Sequence, residues 1–178
     1  MKKFCVVLLL ALCFVFANSF LADANNSNNV KKLIESAEAG DSRAQFWLGA
    51  YHELGEKGFP QDYQKAKYWY EKSAAQGNSD AQSQLAFLYY SGLGTQQNYK
   101  KAKKWYHKAA LQNDAYAQYM LGIFYINGLD TKQNYTTAKE WFEKSALQGN
   151  IDSEVQLAHL YRGGFGVSKN YLKSKILL

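Results

Sequence analysis

Three histidines, His52, His107 and His159, and two acidic pairs, Glu53 with Glu56 and Glu140 with Glu143, are the side chains that could bind a metal or move a proton. A metal needs several such groups to converge, and acid-base catalysis needs one within reach of a bound substrate. The histidines fall at three unrelated points of the repeat described below, which argues against a shared ion. The acidic pairs lie at i, i+3 spacing on lysine-rich stretches, the pattern of a solvated helix face. Gly92-Leu93-Gly94 and Gly164-Phe165-Gly166 lack the third glycine, the lysine and the preceding strand of a phosphate loop. No Ser-x-x-Lys, Gly-x-Ser-x-Gly or His-Glu-x-x-His occurs. The expectation is a chain with no catalytic residue, no metal and no cofactor.

The two cysteines, Cys5 and Cys13, lie in the N-terminal segment, where Lys2 and Lys3 precede an apolar run from Phe4 to Phe16. Thirteen helical residues reach only about 20 Å, short of a bilayer core of about 30 Å, so residues 1–24 read as a signal peptide. Cleavage after Ser19 or after Ala24 fits equally. The exported product would then hold no thiol and no transmembrane span. Nineteen basic residues against fourteen or fifteen acidic ones would remain, a net charge of +5 or +4. So mild an excess does not suggest a nucleic-acid partner, which calls for a clustered basic stripe. The Asn-rich stretch 25–29 reads as a disordered linker.

The elements that must position any site are set by a period. Trp69, Trp105 and Trp141 stand 36 residues apart, as do Tyr99, Tyr135 and Tyr171, which continue the column of Tyr63, and Ala102 and Ala138, which continue that of Ala66. A period of this length is the signature of a stacked array. Each unit reads as a helical hairpin. In the third copy Ala117, Leu121, Phe124 and Tyr125 make an apolar stripe over 116–127, closed by Gly128 in the column of Gly55, Gly92 and Gly164. After a short loop Asp62, Asn98, Asn134 and Asn170 stand where a second helix needs its N-cap, and Gly77, Asn113 and Gly149 stand where it ends. The tryptophans read as the packing side of this second helix.

Residues 30–40 read as a capping helix, followed by units at 41–78, 79–114 and 115–150 and a partial one at 151–178. Leu177 stands where a fourth tryptophan is expected, which leaves a reduced cap and a shortened copy both open.

The pattern Ala-x3-Leu-Gly-x2-Tyr-x2-Gly is supplied by Ala117, Leu121, Gly122, Tyr125 and Gly128. Lys-Ala-x2-Trp-Tyr-x-Lys-Ala-Ala follows in Lys101, Ala102, Trp105, Tyr106, Lys108, Ala109 and Ala110. These motifs resemble the Sel1-like repeat, a relative of the tetratricopeptide repeat. The resemblance implies an all-α, right-handed α-solenoid and an exported, monomeric, non-catalytic scaffold that binds a protein or peptide in a concave groove. A cell-envelope ligand binder or hydrolase of the β-lactam or peptidoglycan type, and a host-directed factor of an intracellular bacterium, are the alternatives. The paired cysteines of the β-lactam-linked subgroup are absent here.

By the same resemblance the groove is lined by first-helix positions outside the packing motif. Those columns hold Arg43, Asp80, Tyr116 and Asp152; Phe46, Ser83, Tyr119 and Val155; Ala50, Phe87, Ile123 and His159; and Glu53, Tyr90, Ile126 and Arg162. They vary most between copies, as binding columns are free to do while packing columns must match. Their aromatic content suits peptide hot spots.

Overall fold

Each hairpin is cut to length by polar caps. A computed structural model describes residues 28–176, beginning with a helix over residues 28–38 (α1). Eight more follow: α2 (Ser42–Leu54), α3 (Tyr63–Ala75), α4 (Ser79–Ser91), α5 (Tyr99–Leu111), α6 (Ala115–Asn127), α7 (Tyr135–Ala146), α8 (Ile151–Gly163) and α9 (Tyr171–Ile176). No strand occurs among the described residues. The even-numbered helices are termed A and the odd ones from α3 onward B.

Every A helix opens on a short polar side chain that accepts the amide three residues on. Asp41 takes Ala44, Asn78 takes Ala81, Asp114 takes Ala117 and Asn150 takes Ser153, all at 2.7–2.8 Å. The B helices open likewise on Asp62, Asn98, Asn134 and Asn170 at 2.8–3.0 Å. Each bond fills one of the amides a first turn leaves free. The A helices stop at glycines with φ of 66–74°, where a Cβ would be strained. Asn113, at φ 64°, is the residue next best suited to that conformation at the end of α5.

Each helix packs on the next in the chain, so the array is an α-solenoid whose buried residues form a central cluster and one at each end, with Tyr119 packed against both the central and the C-terminal one. Together these are built on Ala66, Ala102 and Ala138 and on Tyr70, Tyr106 and Phe142, all fully buried, against Leu48, Leu85, Leu121 and Leu157. A Cβ at Gly122 would collide with the Phe142 ring, and one at Gly49 would come within 2.7 Å of Tyr70. Small residues at this column let the large rings of the B helices lie flat on the A helices.

The tryptophans pack against the core as expected but stay half-buried, while the column beside them, Tyr70, Tyr106 and Phe142, is fully buried. Trp69, Trp105 and Trp141 lie on the outer shoulder of the B helices, where one ring face meets the core and the other takes a lysine. Lys72, Lys108 and Lys144 sit 5.2, 4.3 and 4.4 Å from the three ring centroids. The ring faces attract the ammonium groups and the lysine stems shield the indoles. At the N-terminus the first helix runs over residues 28–38, within two residues of the helix expected over 30–40. Polar residues cost little there, because the amides of a first turn are unpaired in any case. The segments expected to be a leader and most of a linker, like Leu177 and Leu178, lie outside the described residues.

A glutamine relay runs along the array. Gln45, Gln82 and Gln118, all buried, donate to the carbonyls of Ala37, Ala74 and Ala110 at 3.0–3.2 Å. Their own oxygens accept from Gln76, Gln112 and Gln148 at 2.8–2.9 Å. Each pair ties the end of one B helix to the start of the next A helix and to the end of the following B helix.

Candidate interaction surface

The sixteen residues of the columns expected to line a groove all lie on A helices, and only Ser83 among them is buried. Arg43, Asp80, Tyr116, Asp152, His159 and Arg162 are exposed; Phe46, Ala50, Glu53, Phe87, Tyr90, Tyr119, Ile123, Ile126 and Val155 are half-buried. Spacings of three and four residues put each helix's set on one face. Contacts join the members in the middle of the array. Tyr90 lies 5.8 Å from Phe124, Tyr116 lies 6.3 Å from Tyr119, and Tyr119 lies 5.9 Å from Phe142 (ring centroids). At one end Phe46 packs on Tyr70 at 5.9 Å. At the other end, His159 and Arg162 lie outside this ring cluster.

The fourth column faces the buried B-helix ring of its own repeat, and the two change together. Glu53 meets Tyr70 and accepts its hydroxyl at 2.5 Å. One repeat on, Tyr90 stands in the place of Glu53 and Tyr106 in that of Tyr70. The Tyr106 hydroxyl is fully buried and has no charged acceptor; the Tyr116 hydroxyl lies beside it, with the two rings edge-on and their centroids 6.1 Å apart. In the third repeat the pair is Ile126 and Phe142, and no polar atom remains. The Oγ of Ser83, 6 % exposed, stands beside the Asp114 carboxylate.

Charge is divided between the two sets of helices. The B helices carry twelve lysines, whereas the A helices carry two basic residues, Arg43 and Arg162, and α4 and α6 carry none. The acids of the central A helices therefore have no basic residue on their own elements. Burial raises the pKa of Asp114, and the nearby Asp80 carboxylate raises it further, against the opposing effect of the Ala117 amide it caps. Burial also raises the phenol pKa of Tyr116 and Tyr119; the carboxylate of Asp152 adds to the shift at Tyr119.

The histidines do not meet. His52 is buried against Phe59 at 4.7 Å, its pKa lowered by burial and then by Lys65, and its Nδ1 has no partner. His107 lies against Trp141 on the B side. Among the described residues no group of three or more His, Cys, Asp or Glu could hold a metal ion, and no helix is long and apolar enough to cross a membrane. Asp114 is absent from the groove columns read from the sequence. The signal for Asp114 was present in the Asp41, Asn78, Asp114, Asn150 column.

Residues 42–78, 79–114, 115–150 and 151–178 each match the Sel1 repeat family. The chain belongs to the Sel1 repeat family. Its Sel1 repeats are 39% identical over 69 residues to the Sel1-repeat-containing protein YjcO of Escherichia coli K12, a match over 38% of this chain and 28% of that one. The crystal structure of a Sel1 repeat protein from Oxalobacter formigenes superposes with a TM-score of 0.79 at 30% identity, covering 83% of this chain and 60% of the other. That of c5321, a protective antigen present in uropathogenic Escherichia coli strains, gives 0.67 at 29% identity over 82% and 38%. The match thus spans under a third of the curated relative's length. Sel1 repeat proteins are in general protein-protein interaction scaffolds, typically non-catalytic.

Proposed function

We propose that this Sel1 repeat chain is a non-catalytic adaptor that holds an extended protein segment on its A-helix face, and that it does so outside the cytoplasm. The observation that carries the reading is the composition of that face. Phe87, Tyr90, Tyr116 and Tyr119 are half-buried or exposed on neighbouring A helices, and neither α4 nor α6 carries a lysine or arginine. Rigid aromatic rings that are partly exposed supply contact area at small entropic cost, which is why such residues dominate binding hot spots. The basic and apolar order of residues 2–16 supports export.

The test is selection of binding peptides from a random display library on the purified protein, followed by alanine replacement of Phe87, Tyr90, Tyr116 and Tyr119. Affinity falls at least tenfold while the helical circular dichroism signal persists. Peptides whose affinity ignores all four changes would sink the assignment of this face.

A further inference from the structure

We propose that a cleft between α5 and α6 binds a glutamate or aspartate side chain of an acidic protein segment, at a place where the second repeat lacks an acid of its own. The cleft shares no residue with the A-helix columns, so neither assignment depends on the other. In the first repeat Glu71 pairs with Lys67 at 2.8 Å and accepts the hydroxyl of Tyr89, from the next A helix, at 3.0 Å. In the third, Glu143 stands in the same column and accepts from Lys139 at 2.7 Å. The second repeat keeps the lysine and the tyrosine, as Lys103 and Tyr125, but has His107 where those glutamates stand. Lys103 lies 5.9 Å from the Tyr125 ring centroid, as Lys67 lies 5.8 Å from that of Tyr89, so the frame is the same and only the acid differs. Lys103 turns instead to Asp130, to its carbonyl at 2.7 Å and its carboxylate at 3.9 Å.

Lys100, Lys103, Lys104, His107, Lys108 and Tyr125 line this cleft, whose volume is about 510 Å³. Lys100, Lys104, His107 and Lys108 are exposed and share one face of α5, a helix without an acidic residue. Of the neighbouring acids, Asp130 takes Lys103 and Glu143 is held by Lys139, so Lys100 and Lys104 form no ion pair among the described residues. Lysines four positions apart on one helix repel each other, and a bound anion relieves that repulsion. Lysine and tyrosine together are the donors that the first repeat offers a carboxylate, and charge-assisted bonds of this kind are the stronger ones. A cationic side chain would meet four ammonium groups. The positive charge is confined to one repeat: the columns of Lys100 and Lys104 hold Gln64 and Tyr68 in α3 and Thr136 and Glu140 in α7. That suits one or two carboxylates and not a nucleic acid, whose phosphates need a longer basic track.

The test titrates the full chain, followed by amide NMR, with acetyl-Gly-Glu-Tyr-Glu-Gly-amide, with its counterpart carrying glutamine in place of both glutamates, and with a short oligothymidylate. The glutamate peptide is expected to shift resonances of α5 and of Tyr125 and to bind roughly tenfold more tightly than the glutamine peptide. His107→Glu installs the acid of the flanking repeats, which those repeats show the fold accepts, and should bring the two affinities together. Lys100→Gln with Lys104→Gln should weaken the glutamate peptide and leave the glutamine peptide unchanged. Equal binding of the two peptides, no shift on α5, or a glutamate peptide indifferent to His107→Glu overturns the assignment. So does an oligothymidylate that binds α5 more tightly than the glutamate peptide, which would make the cleft a phosphate site.

Discussion

The Tyr70 hydroxyl donates to the Glu53 carboxylate at 2.5 Å, while the equivalent hydroxyl one repeat on, that of Tyr106, has no charged acceptor. Two tyrosines in one column of one core therefore differ in a single bond. Tyr70→Phe should cost about 1–2 kcal/mol, the range for a hydrogen bond to a charged group whose acceptor stays in reach of water. Tyr106→Phe should cost less than this, since the hydroxyl it removes has only the neighbouring Tyr116 hydroxyl and no charged acceptor. Urea unfolding of the two variants checks this, and equal losses would refute it.

The close approach of Gly122 to Phe142 makes a second prediction. Alanine favours a helix over glycine by about 1 kcal/mol, but overpacking a core costs about 1–3 kcal/mol. Gly122→Ala should therefore lower stability, and Phe142→Leu in the same chain should recover part of the loss. Ala86 already occupies this column above Tyr106. Additive losses in the double variant, measured by thermal unfolding, would show that the two residues do not press on each other.

His52 gives the chain a pH-dependent weakness. Its pKa in the fold lies below the usual 6.5, with burial the main cause and Lys65 the next. Between these two values the unfolded chain binds the proton more tightly, so stability is highest above pH 6.5 and is lost as pH falls toward the folded pKa. His52→Tyr, which installs the residue of Tyr89, Tyr125 and Tyr161, should lack this loss. The comparison is the difference in melting temperature between the two proteins across pH 5 to 8; a constant difference would mean that His52 does not titrate differently in the fold.

Buried Gln118 bonds both Ala110 and Gln148. Gln118→Met keeps the volume and removes both bonds; the Ala110 carbonyl retains the Asn113 amide and exposed Gln148 turns to water, so the cost is about 0.5–1.5 kcal/mol. Hydrogen exchange should quicken first at the α5–α6 and α7–α8 turns, where the relay ties successive repeats. Uniform quickening over the whole array would mean that the glutamine acts through general packing alone.

The hairpins, their caps and their glycine stops could be read in the sequence because each depends on local backbone chemistry repeated at one period. Asn98 and Gly92 show it: one side chain and one φ angle suffice. The packing side of the B helices was legible too, but residue type predicts a preference for burial and not which of two neighbours goes deeper; Tyr70 and Tyr106 took the inner place and Trp69 and Trp105 the shoulder. The glutamine relay was visible as a column, yet glutamine is an unremarkable helix residue and its role rests on partners 30 or 31 positions away. The lack of a charged acceptor for the Tyr106 hydroxyl was hidden for the same reason. It follows from a substitution elsewhere, Tyr90 in the Glu53 column, and only the folded pairing connects the two.

The separation of lysines from the central aspartates makes the molecule an electric dipole transverse to the line of its repeats. A charged visitor feels a torque before it touches anything, and one carrying a cationic tip is turned away on the lysine side and drawn in on the other. Added salt shortens the reach of this steering, so it slows productive encounters more than it loosens the finished complex.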